Sequence, residues 1–134
     1  MQDFVLKQQY LSNWHDRFVR YVQWVWSYID TIEKHSQITE KDKCGLDAIN
    51  LLLSGNDVIE IERNLTEGST TGALKKDTLE KIEKLNKDIV DIAIEHSSDN
   101  PLWNVFLKQL FHQHIERGKE AERMRLDELK ITLL

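Results

Sequence analysis

Leu11, Trp14, Phe18, Tyr21, Val25, Tyr28 and Ile32 recur at alternating steps of three and four, the spacing of one buried face of an α-helix. Eight of the eleven aromatic residues fall within the first 28 positions, so this one helix carries most of the bulky side chains a core could use. Val19, Val22, Trp26 and Ile29 widen the stripe to about half the helix circumference, which predicts cover from several neighbours rather than one. A chain built this way folds around its first helix.

The rest of the sequence supplies those neighbours. The first helix is expected from Phe4 or from Ser12, a capping residue, to about His35. Thr39 with Asp42 three residues on resembles a capping box and predicts a second helix to about Leu53, burying Leu46, Ile49 and Leu53 or Leu52. Ser54-Gly55-Asn56 stops it, with Gly55 suited to a left-handed position. A short third helix is expected over 57–65 with Val58, Ile61 and Leu65 inward, then a mobile loop over 67–72, where two glycines meet small polar residues. Leu79, Ile82, Leu85, Ile89, Ile92 and Ala93 mark a fourth helix over 74–96, with Glu80–Lys84 and Glu83–Lys87 as favourable pairs on its wet side. Asn100-Pro101 is a cap followed by proline at the first helical position, and it opens a fifth helix that buries Trp103, Phe106, Leu107, Leu110 and Phe111. From Arg117 the apolar pattern thins into a charged run over 117–134 that is expected to project. One proline and five glycines in 134 residues suit this all-α reading: a single compact domain of four or five helices, led by the long aromatic one.

Composition narrows the function classes. The net charge is −5, concentrated in residues 38–74, which is the wrong sign for a generic nucleic-acid binder and the right one for a basic protein partner. Cys44 is the one cysteine, so an intrachain disulfide is excluded and a reducing, cytoplasmic setting is expected. Neither a signal peptide nor a membrane span is read in the sequence.

No residue set announces a reaction. His112 and Glu116 share a helix face, but His114 points about 200° away from His112, and two ligands are too few for a structural zinc. Metal and cofactor are both expected to be none. Cys44 has no protease signature around it and reads as a small buried residue. Walker and G-x-G-x-x-G loops are absent, so an enzyme or ligand-binding bundle assembled from distant residues ranks third.

Two features point to partner binding. Asp57, Glu60, Asn64 and Glu67 follow one another at steps of three, four and three, an acidic and polar helix edge able to meet a basic surface. Trp24 lies off the main aromatic stripe beside Arg17 and Arg20; Arg20 and Trp24 are the residue types that dominate interface hot spots. The leading expectation is a non-enzymatic protein that occludes or escorts a protein partner, as inhibitors, immunity or antitoxin-like proteins and chaperones do. Self-association into a homo-oligomer is compatible with it.

The second expectation comes from a resemblance. Gly55-Asn56-Asp57-Val58-Ile59-Glu60-Ile61-Glu62-Arg63-Asn64-Leu65 is similar to the G-x-s-x-x-E-I-A-x-x-L segment of helix-turn-helix regulators, within a stretch over 45–85. The resemblance implies a turn after Leu65 and a DNA-reading helix opening at Ser69-Thr70. The sequence departs from it at Glu62, where such motifs carry a small residue, and no Arg or Lys stands at the start of the reading helix.

Overall fold

α1 (Gln2–His35) passes through Ser12 without a break, so the earlier of its two expected starts is the one used. The computed structural model describes the backbone of residues 2–133 apart from 76, 97 and 98, and the side chains of 5–116 and 119 apart from the same three. Four helices follow: α2 (Glu40–Leu53), α3 (Asn56–Thr71), α4 (Thr78–Glu95) and α5 (Pro101–Leu133), with no strand among the described residues. The fold is all-α and compact. α5 stays helical through the charged run to Leu133. Whether that run projects concerns side chains outside the described residues.

Two helix starts follow the sequence signals closely. Thr39 and Asp42 exchange hydrogen bonds as a capping box: Asp42 N donates to Thr39 Oγ1 and Thr39 N to Asp42 Oδ2, both at 3.1 Å. Asn100 Oδ1 accepts from Leu102 N at 3.0 Å and Trp103 N at 3.3 Å, while its Nδ2 donates to Ser36 Oγ at 3.0 Å. The cap of α5 is thereby tied to the end of α1.

α3 differs from expectation. It does not stop at Leu65 but continues to Thr71, so most of the expected loop over 67–72 is helix. Thr66, Thr70 and Thr71 donate their hydroxyls to carbonyls four residues back, so these side chains are satisfied within the helix. Gly68 leaves room for two neighbours: a Cβ on it would meet the Ala73 carbonyl oxygen and Leu11 Cδ1 of α1, each at 3.0 Å. The left-handed cap is Gly72, at φ 72°, whereas Gly55 is extended and serves as the N-cap of α3. α4 likewise starts at Thr78, later than the apolar spacing suggested.

Side-chain contacts give the topology. Gln8 Nε2 donates to the Thr70 carbonyl and His15 faces Glu62, so α3 runs antiparallel to α1. Asn64–Thr78 and Glu60–Lys81 set α4 antiparallel to α3. The Asn100–Ser36 bond, with Trp24 and Tyr28 against Phe106, sets α5 antiparallel to α1. The result is an up-down-up-down bundle of α1, α3, α4 and α5, with α2 packed along α4: the Lys41 carbonyl lies at His96, and Leu52 shares a cleft with Leu85 and Asp88. Each of α1 and α4 packs on α2, α3 and α5, and among the described residues their own backbones stay more than 8 Å apart.

Trp14, Phe18, Val25 and Ile32 of α1 meet Ile61 and Leu65 of α3, Ile89 of α4, and Trp103 and Phe106 of α5 in one core. Trp103 Nε1 donates to the Ala93 carbonyl at 3.1 Å, which satisfies the buried indole. α2 approaches this corner closely at Gly45, where a Cβ would lie 2.7 Å from the Trp103 ring and 2.8 Å from His96 Cβ. Leu46, Ile49 and Leu53 are its buried apolar face. Cys44, expected to be buried, is exposed, because the inward arc of α2 is centred on Leu46 and Ile49. Phe111 is also exposed rather than inward: Trp103, Phe106 and Leu110 set the covered arc of α5, and Phe111 falls at its margin.

Candidate functional site

The acidic edge of α3 faces α4. Asn64 is 2% exposed, and its Nδ2 donates to the equally enclosed Thr78 Oγ1 at 3.2 Å. Asn64 Oδ1 is buried without a hydrogen-bond partner among the described residues. Glu60 is held by Lys81 at 2.9 Å, and Asp77 takes the same ammonium at 3.2 Å. Hydrogen bonds donated to Glu60 first and Asp77 second raise the Lys81 pKa above the ordinary lysine value, against a smaller desolvation effect. The edge that the sequence offered as one surface is thus split. Asn64 lies inside, Glu60 is neutralised, and Asp57 and Glu67 stay exposed. Asp57 lines a cleft of about 220 Å³ with Leu52, Lys84, Leu85 and Asp88. The steps of three and four are those of the stripe α3 turns toward α4, so a packing pattern and a polar edge share one periodicity.

Trp24 is likewise turned to a neighbour. Its ring lies 5.7 Å from Tyr28 and 5.8 Å from Phe106 of α5, while Tyr28 stacks on Phe106 at 5.1 Å and 23°. Burial in this cluster pushes the Tyr28 phenol up from its ordinary value. Trp24 is therefore half-buried, and Arg20 beside it is exposed.

The tryptophan left open is Trp26, expected to be covered and instead 40% exposed. The opposite flank of α1 from Trp24 is marked by His15, whose Nε2 is 3.8 Å from Glu62 of α3. Val19, Val22 and Trp26 follow His15 at steps of four, three and four, up the same side. Ile59, one turn before Glu62 on α3, is 52% exposed. Sequence reasoning placed Trp26 in the widened stripe. The available signal was its angular distance from the Trp14–Val25 line, about 100° or more, where cover depends on how high the next helix rises.

Other candidates are separate. His112 is exposed, His114 half-buried, and Glu116 pairs with Lys119 at 3.4 Å. Among the described residues no three His, Cys, Asp or Glu side chains converge as a metal set, and no helix is long and apolar enough to cross a membrane. In the helix-turn-helix-like stretch α3 runs on through the position of the implied turn, and Ser69-Thr70 lie within the same helix as Leu65. No protein-family model matches the chain, and no curated protein or solved structure is significantly similar to it.

Proposed function

We propose that this protein works by holding a protein partner, occluding or escorting it, through the α1–α3 face that carries Trp26. One observation carries the reading: Trp26, 40% exposed, follows the half-buried Val19 and Val22 on one flank of α1, and the neighbouring α3 carries Ile59, 52% exposed. Exposed apolar residues scattered singly are ordinary, but a line of apolar residues on one helix flank that ends in an exposed tryptophan has the composition of an interface anchor. The acidic edge contributes less than its sequence suggests, because Lys81 and α4 take up its middle.

The test is paired affinity capture from the native cell, using the wild-type chain and a Trp26→Ser/Ile59→Ser double variant of verified helicity. A protein retained by the first and lost by the second is the expected result. Identical captured sets would overturn the reading.

A further inference from the structure

Away from the Trp26 flank, we infer that the cleft lined by α2, α3 and α4 is a self-association surface, filled by Leu51 of a second copy of this chain. The cleft holds about 220 Å³, and its apolar lining is Leu52 of α2 and Leu85 of α4. A space of roughly 150 Å³ admits a benzene ring, so this one takes a leucine side chain. Leu51 itself lines the cleft and is 76% exposed, the most open large apolar residue among those described. A knob beside a hollow on one surface is self-complementary. A two-fold axis passing between them seats each Leu51 in the other copy's cleft, and both contacts form together.

Charge selects the same occupant. Asp57, Lys84 and Asp88 also line the cleft, and among the described residues none of the three makes an ion pair. Asp88 is half-buried all the same. Lys81, the other lysine here, is held by Glu60 at 2.9 Å and by Asp77 at 3.2 Å. Unpaired groups of both signs in one patch match a copy of that patch, where each Lys84 meets a carboxylate across the axis. A uniformly acidic or basic partner would oppose one sign with its like, and a purely apolar one would cover Asp88 unpaired. The contact is smaller than the roughly 800 Å² per partner of a standard interface, so the association is weak and grows with concentration.

Sedimentation equilibrium of the full chain from about 10 μM to 1 mM should show the mean mass climbing toward that of a dimer. Leu51→Arg, at an exposed position, should weaken association at least about tenfold, and Trp26→Ser should leave it as in the wild type. Lys84→Glu alone and Asp57→Lys/Asp88→Lys alone should each weaken it several-fold. Mixing those two variants should restore a mixed dimer, and added salt should remove the recovery. Circular dichroism checks that each variant keeps its helices. A chain that stays monomeric throughout, a dimer indifferent to Leu51, a dimer lost in Trp26→Ser, or no recovery on mixing would overturn the inference.

Discussion

Trp24 and Trp26 are two residues apart and meet opposite surroundings. Trp24 packs against Tyr21, Tyr28 and Phe106, half-buried where α5 meets α1. Trp26 lies on the opposite flank of α1, that of His15, and is 40% exposed. Neither side chain differs in chemistry; the neighbour does. α3 repeats the contrast inverted, with polar Asn64 inside and apolar Ile59 outside. Such inversions mark where tertiary packing overrides residue type, and here they separate what holds the bundle from what is left open.

The largest expected difference lies between the two flanks of α1. Phe106→Ala, which empties the cluster around Trp24 and Tyr28, should lower unfolding free energy by about 3–5 kcal/mol. Trp26→Ser should cost less, about 1–2 kcal/mol, because a ring 40% exposed still covers some apolar surface and Ser is a weaker helix former. Urea melts of the two variants measure both, and comparable losses would mean that Trp26 belongs to the core.

The inverted pair on α3 should give a smaller effect. Thr78→Val removes the acceptor of the buried Asn64 amide, and an unsatisfied buried group costs about 1–3 kcal/mol. Adding Asn64→Leu should restore most of the loss, because an apolar pair there strands nothing. If the double variant is less stable than Thr78→Val alone, the two side chains do more than satisfy one another.

The smallest effect is alkaline. The Lys81 pKa is raised above 10.5 in the fold, so its ion pairs contribute fully below the unfolded lysine value and are lost as pH rises through the higher folded one. Tyr28, raised above 10.0, acts in the same direction. Stability should therefore fall above about pH 10, and Lys81→Met should flatten part of that slope while leaving the tyrosine share. Thermal melts across the alkaline range check it; an unchanged slope would assign the loss to other groups.

Much of the architecture was legible in the sequence because local chemistry wrote it twice. The aromatic stripe set α1, the Thr39–Asp42 box set the start of α2, and Asn100-Pro101 set that of α5. The end of α3 was not legible: Gly68 and Gly72 look alike in a string, yet one lies in a helix under Leu11 and the other caps it. The candidate surface was harder still. Asn64 and Glu60 sit at the spacing of an exposed edge, and only the position of α4 shows that this side is covered. Trp26 carries the converse lesson, since a widened stripe gives no measure of how far along α1 its neighbour extends.

Gly45 has a consequence for the order in which the molecule assembles. The seat of α2 is made by His96 and Trp103, which arrive roughly fifty to sixty positions later in the chain. The helix can start on its own capping box, but the hollow that accepts its glycine does not exist until the corner between α4 and α5 has closed. α2 is in that sense a late piece. A substitution that loosens that corner would weaken the hold of α4 on α2 without altering any residue of α2 itself, leaving its packing on α1 and α3.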